Sequence, residues 1–262
     1  MIETFRLKAG LRTYQMYLHR YGTGARIFFG LHGWSGTHQA FAPCAPHLPD
    51  DVSLFAADLP ANGRSPRPAE WSLAWFENAL GEVMTALPGE RFTLVGNCSG
   101  ALLGLLAAPR VWSRIERFVL IDPFAFMPWY FKLFDLPVIG KLAYASSFAN
   151  PLGRWLTNLS LANHRQDATD LTEAFERIDH AAALKYLKLF NSIGSLERFR
   201  PLVAPTDICF GARSFKAIKT SVEMWQTMWP HAHAHELAAG HLPIEEATAA
   251  LSRLIFHQAI TQ

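Results

Sequence analysis

The chain has 262 residues, half of them hydrophobic, which is enough to bury one large core and excludes an intrinsically disordered protein. Twenty-four basic against twenty-two acidic side chains leave a net charge of +2, with no basic run long enough for a nucleic-acid arm or a membrane-surface patch. Three cysteines, Cys44, Cys98 and Cys209, with no Cys-x-x-Cys pair, exclude a disulfide framework; reduced thiols and, with no secretory signal over residues 1–8, a cytoplasmic location are expected.

Short apolar runs rich in β-branched and aromatic residues alternate with helix-period segments, the pattern of strands joined by crossover helices in a mostly parallel sheet. Residues 4–9 and 12–19 read as an opening antiparallel pair, followed by strands at 26–31, 53–57 and 91–95. Ser72 caps a helix running to Leu87, with Leu73, Trp75, Phe76, Leu80, Val83 and Met84 at helical spacing. A small apolar helix at 100–108 and a strand at 117–121 come next. The alternation then breaks, resuming with a strand at 207–210, a helix at 222–228, a strand at 234–237 and a final helix. The break implies a core of 1–122 and 203–262 carrying a helical lid at 123–202. Lid helices are expected at 170–178, capped by Thr169 or Asp170, and at 182–190. The most apolar stretch, 123–151, is interrupted by Lys132, Asp135, Pro137, Gly140 and Lys141, so it gives no membrane-spanning helix.

Strand Phe92-Thr93-Leu94-Val95 runs directly into Gly96-Asn97-Cys98-Ser99-Gly100 and then into a helix. Glycines two residues either side of Cys98 remove Cβ atoms that would clash in so tight a turn, and the central side chain projects from a strained backbone. At this point the sequence resembles the α/β-hydrolase superfamily, whose usual nucleophile elbow is Gly-x-Ser-x-Gly, with a thiol in place of the hydroxyl. The resemblance covers nearly the whole chain outside the insertion. It implies an α/β fold: a mostly parallel eight-stranded sheet flanked by helices, with a helical lid after the sixth strand. Cys98 is the expected nucleophile, and beside a histidine at a helix N-terminus it can form a thiolate without full general-base help. The other readings are an inert buried thiol and Ser99 acting from a turn shifted by one residue.

Leu31-His32-Gly33-Trp34-Ser35-Gly36 resembles the family's His-Gly loop, which implies an oxyanion hole made by the backbone N–H groups of Trp34 and Ser99; a plain turn is the alternative. Asp58-Leu59-Pro60-Ala61-Asn62-Gly63-Arg64-Ser65 resembles a loop of the same family with Ala61 replacing a glycine, and His32 and Asp58 read as loop-ordering residues. Gly240-His241-Leu242-Pro243-Ile244-Glu245 matches the context of the family's general base, so His241 is expected to handle protons. His231, His233 and His235 share one strand face, as a metal site would want, but lack a neighbouring carboxylate or cysteine cluster. Neither metal nor cofactor is expected.

The family's commonest acid position, past the strand containing Cys209, reads Gly211-Ala212-Arg213-Ser214-Phe215-Lys216 and holds no carboxylate. Relatives such as haloalkane dehalogenases place the acid at the end of the preceding core strand, where Val119-Leu120-Ile121-Asp122-Pro123 offers Asp122. Asp122 is the expected orienting acid, with a Cys98–His241 dyad as the alternative. The insertion opens with an aromatic run, Phe124–Phe134, in which Phe126, Trp129 and Tyr130 are expected to line the substrate site; sealing the lid onto the core is the plainer role. An eight-carbon chain buried there would contribute about 6 kcal/mol.

These residues imply an acyl-transfer enzyme, a thioesterase or acyltransferase, that forms a covalent acyl-cysteine on an apolar acyl thioester or ester, free or presented on a carrier such as CoA or an acyl carrier protein. Polyester synthases and some biosynthetic thioesterases of the superfamily look similar at a Gly-x-Cys-x-Gly elbow. A carboxylesterase or lactone hydrolase on the same triad and a non-catalytic receptor of hydrolase architecture are the competing readings. Neither nucleic acid nor membrane is implied as a partner.

Overall fold

A computed structural model describes residues 2–9 and 12–256. Eight strands form one sheet: β1 (Ile2–Ala9), β2 (Arg12–Gly22), β3 (Arg26–Leu31), β4 (Val52–Ala57), β5 (Phe92–Asn97), β6 (Ile115–Ile121), β7 (Thr206–Gly211) and β8 (His233–Leu237). Their order across the sheet is β1-β2-β4-β3-β5-β6-β7-β8. The two pairings made by β2 are antiparallel, and every pairing from β4 to β8 is parallel. Parallel strands covered on both faces need continuous apolar runs, and β4 and β5 are buried at every position.

Among the described residues eight α-helices accompany the sheet: α1 (Leu73–Ala86), α2 (Ser99–Ala107), α3 (Ile139–Tyr144), α4 (Pro151–Ser160), α5 (His180–Asn191), α6 (Lys216–Met228), α7 (Pro243–Glu246) and α8 (Thr248–Phe256). Alternation of side chains along each strand divides the core in two. Phe29, Leu94, Phe118 and Leu120 pack with residues of α1, α2 and α6, whereas their neighbours Phe28, Val95, Val119 and Ile121 pack with Leu251, Ile255 and Phe256 of α8. As expected, Ser72 opens α1, its Oγ accepting from the Trp75 N–H at 3.2 Å.

Helices α3, α4 and α5 lie in the segment between β6 and β7. Here two sequence expectations change. No helix spans 170–178: Asp170 Oδ1 accepts from both the N–H and the hydroxyl of Thr172, each at 2.7 Å, folding the chain into local turns with one 3₁₀ turn at Glu173–Glu176. Helix α5 starts at His180, ahead of the expected 182, because Asp179 caps it through the N–H groups of Ala181 and Ala182. Helices α3 and α4 and a 3₁₀ segment at Trp129–Asp135 occupy the stretch for which the sequence offered no regular elements.

Candidate active site

Cys98 stands between the end of β5 and the start of α2 with φ 51° and ψ −120°, a left-handed conformation that a non-glycine residue adopts only under constraint. Close packing supplies that constraint. A Cβ on Gly96 would come within 2.3 Å of Ala101 Cα, and one on Gly100 within 2.4 Å of the carbonyl oxygens of Leu31 and His32. The Cys98 N–H donates to the Ile121 carbonyl at 2.7 Å, tying the elbow to the end of β6, immediately before Asp122. Cys98 is half-buried; Ser99 is buried, and its hydroxyl has no partner among the described residues.

Asp122 is fully buried and also has a positive φ, 45°. Its carboxylate is held from two sides: the Gly211 N–H donates to Oδ1 at 3.0 Å, and the Ser214 hydroxyl donates to Oδ2 at 2.5 Å. The remaining partner is His241, whose Nδ1 lies 2.8 Å from Oδ2. Cys98 also bears on His241, favouring its charged form. Burial works against a charge on this imidazole, but hydrogen bonds to Asp122 and Cys98, and electrostatic attraction to both, raise it from 6.5 to about 10. The ring packs against Phe215 and Phe124, with centroids 4.5 and 6.2 Å away. Three residues far apart in the chain, at 98, 122 and 241, are thus brought to one site.

Sequence reasoning missed two supports of this line. Ser214 occupies the loop past β7 that lacks a carboxylate, and its hydroxyl also lies 3.3 Å from His241 Nδ1; a hydroxyl in a vacated acid loop was the available signal. The histidine loop is also pinned from the insert: the His241 N–H donates to the His164 carbonyl at 2.8 Å, and Glu246 accepts from the N–H groups of Gly240 and Gln166 at 2.5 and 2.9 Å.

The loop after β3 passes directly over the elbow, since a Cβ on Gly33 would lie 3.0 Å from Cys98 Cβ. Its backbone is ordered by His32, buried and neutral: Nδ1 meets the Gly33 carbonyl at 2.7 Å and Nε2 accepts from the Leu59 N–H at 2.9 Å. Burial outweighs the Gly33 contact and lowers this histidine to about 4. Asp58 likewise orders loops, accepting from the N–H groups of His38 and Arg64. The next residue, Trp34, is gripped by the insert: its indole donates to the Ala183 carbonyl at 3.0 Å and its ring touches those of Phe131, Phe148 and Phe175. The Ser99 N–H, at the start of α2, has no acceptor within its own helix.

A small apolar cavity of about 40 Å³ starts at Ser99 and is lined by Leu102, Phe124, Phe190, Ile193 and Phe199. It shares Ala125, Phe126, Gly194 and Leu196 with an open groove of about 580 Å³. Phe126 therefore stands between the two. Burial, with a smaller electrostatic contribution from Cys98, raises the Tyr130 phenol above its ordinary value. Trp129 is 81% exposed and lines neither cavity. The three histidines of the β8 region diverge: His235 pairs with Asp207 at 2.6 Å and His231 meets the Ala204 carbonyl at 2.9 Å, and no metal-binding cluster occurs among the described residues.

Comparison with known proteins gives a consistent fold. The structure is similar to a bromoperoxidase from Bacillus anthracis (TM-score 0.76, 16% identity, 97% of this chain and 98% of that one). It is also similar to an enol-lactonase from Burkholderia xenovorans (TM-score 0.71, 18% identity, 92% and 95% covered). In sequence, it is 32% identical over 106 residues to a pimeloyl-[acyl-carrier protein] methyl ester esterase of Methylococcus capsulatus, covering 40% of each protein. Over 96 residues it is 29% identical to a probable serine hydrolase of Drosophila melanogaster, covering 35% of this chain and 29% of that protein. These matches span less than half of either relative. The family model of the alpha/beta hydrolase fold matches residues 27–248, from β3 past the His241 loop, and with this sheet order and elbow the chain belongs to the α/β-hydrolase fold family.

Proposed function

We propose that the protein is a hydrolase or transferase of ester and thioester bonds that works through an acyl-cysteine, with Cys98 as nucleophile, His241 as acid and base, and Asp122 as the orienting carboxylate. The observation that carries this is the buried Asp122 carboxylate hydrogen-bonded to His241, with Cys98 beside it at the tip of a strained elbow. Cys98 Sγ, its proton passed to His241, attacks the acyl carbonyl carbon, forming a C–S bond, while the Trp34 and Ser99 N–H groups take the oxyanion. Collapse breaks the bond to the alcohol or thiol, which leaves with the proton from His241. Water or another acceptor, deprotonated by His241, then attacks the thioester and releases Cys98. The insert between β6 and β7 acts as the lid; the small cavity takes the start of an apolar acyl group, and the outer groove takes the rest of the substrate.

A simple carboxylesterase is the second reading, favoured by the likeness to an esterase that acts on a methyl ester. Incubation with acyl-CoA thioesters and matched oxygen esters, followed by intact-mass measurement, separates them. Adducts of acyl mass on the wild type, absent from Cys98→Ala, are expected, with thioesters turned over faster than oxygen esters. Absence of both adduct and Cys98-dependent turnover across chain lengths overturns the acyl-cysteine route; faster turnover of oxygen esters assigns the carboxylesterase reading.

A further inference from the structure

Ser99 is 5% exposed, and its hydroxyl meets no donor or acceptor among the described residues. An unpaired buried hydroxyl is destabilising, and serine and threonine in helices commonly avoid it by donating to the carbonyl four residues back. Ser221 and Thr85 do so here, to Ala217 at 2.7 Å and to Gly81 at 2.8 Å. Ser99 is the first residue of α2, so the residue four back, Val95, lies in β5 and that outlet is closed. Of the buried polar side-chain atoms without a partner among the described residues, Ser99 Oγ is the one whose residue lines either cavity.

Nothing else in the small cavity answers that hydroxyl. Apart from Gly194, every other residue lining it has an apolar side chain, and Leu102, Phe190, Ile193 and Phe199 are themselves buried. A polar group that enters the cavity therefore finds one polar side chain, that of Ser99. The outer groove is different in kind, with Ser195, Glu197, Arg200, Thr220 and Glu223 along it.

The place of the hydroxyl also limits which atom of a substrate can reach it. The backbone nitrogen and Oγ of one serine are near neighbours, so a group bonded to Oγ lies close to an oxyanion held by the Ser99 N–H. An oxygen on the second or third carbon of an acyl group meets that condition. One further along the chain would pass Leu102, which follows Ser99 on the same face of α2, and end among Phe190 and Phe199, where no polar side chain receives it.

Resting on the acyl-cysteine reading, we propose that the Ser99 hydroxyl is a specificity-determining contact that hydrogen-bonds an oxygen on the second or third carbon of the acyl group. The preferred substrates are then esters or thioesters of hydroxy- or oxo-acids whose chain is otherwise apolar. A site with one buried hydroxyl rejects the analogue that leaves it unpaired, which is how a single side chain reads one oxygen.

Butanoyl thioesters of N-acetylcysteamine test this: the plain compound, and those carrying a hydroxyl on the second or on the third carbon, each as separate enantiomers. Enantiomers have the same intrinsic reactivity, so a difference between them reports contacts with the protein. The wild type is expected to turn over one hydroxyacyl enantiomer with kcat/KM about tenfold above its mirror image and above the plain thioester. In Ser99→Ala both ratios should fall to within about twofold of unity. Each ratio is taken within one protein, so a change of overall rate does not enter it. In Cys98→Ala, where no acyl group is transferred, calorimetric binding of the favoured enantiomer should be about tenfold tighter than that of the plain thioester, and adding Ser99→Ala should remove that margin. Cys98-dependent turnover that is blind to the hydroxyl, or a preference that survives Ser99→Ala, overturns the contact and leaves the acyl-cysteine reading standing. No acyl-cysteine and no turnover, with Ser99-dependent binding retained in Cys98→Ala, removes the acyl-cysteine reading and keeps the contact.

Discussion

At Ser99 the backbone and the side chain have opposite consequences. The N–H points out of the first turn of α2, beside Cys98, whereas the hydroxyl is buried without a partner in a largely apolar cavity. Ser99→Ala should therefore keep turnover of unsubstituted esters, because a backbone donor survives the change, and should raise stability by about 1 kcal/mol in urea unfolding, since a desolvated hydroxyl is removed. Loss of turnover in Ser99→Ala but not in Cys98→Ala would make Ser99 the nucleophile. Asp122 bears on His241 through charge. Burial disfavours the imidazolium, and the Asp122 and Cys98 contacts overcome it to reach about 10. In the acyl-cysteine route the imidazolium must persist in the resting enzyme, so kcat/KM should fall as pH rises through about 10. Asp122→Asn removes the main raising contact, so this alkaline limb should move to lower pH, with kcat/KM about 10²–10⁴ lower at the optimum. An unmoved limb would separate Asp122 from the histidine's chemistry and favour the dyad.

Within the elbow, β5, the turn and α2 depend on each other. The strand delivers Cys98, the helix begins at Ser99, and the turn between them fits only because Gly100 lets the backbone pass under the carbonyls of Leu31 and His32. Gly100→Ala places a Cβ 2.4 Å from both oxygens, and neither atom is a flexible side-chain end. A loss of about 1–3 kcal/mol in chemical denaturation is expected, together with a drop in turnover as Cys98 is displaced from His241. Wild-type stability and turnover in that variant would show that the elbow tolerates relaxation. Elements of this kind are legible from sequence because their determinants are neighbours in the chain: Gly96, Cys98 and Gly100, or Ser72 and Trp75. The insert is less legible. Asp170 looks like a helix cap but closes a turn on Thr172, and α4, whose apolar face points outward, carries the pattern of a buried helix without being one.

Across the whole molecule two histidines set opposite limits on pH. His32 is buried neutral, lowered to about 4 from 6.5, so the unfolded chain takes up a proton that the folded chain refuses, and stability falls as pH drops below about 6.5. His241 is raised to about 10, so its contribution is complete below 6.5 and is lost as pH rises through about 10. Their sum predicts a melting temperature that is highest near pH 6.5 and declines on both sides. A curve flat from pH 5 to 9 would contradict both environments. Each histidine holds a loop of the site, so loss of stability and loss of site geometry should coincide on either flank.

By itself the sequence determined the elbow at Cys98, the histidine loop at His241, the His-Gly loop at Gly33 and the strand and helix order of the core, because each rests on local backbone sterics or on short-range hydrophobic period. Only the tertiary structure decided what surrounds them. It brings Asp122 to His241 and adds Ser214 from the loop where a carboxylate was sought, because β6 and β7 are adjacent in the sheet although 84 residues separate Asp122 from Thr206. It leaves Trp129 outside the cavities and Phe126 between them, since a run of aromatics specifies burial of some rings and not which ones. The outward apolar face of α4 is an arrangement of surfaces, set by how the insert folds back on the core.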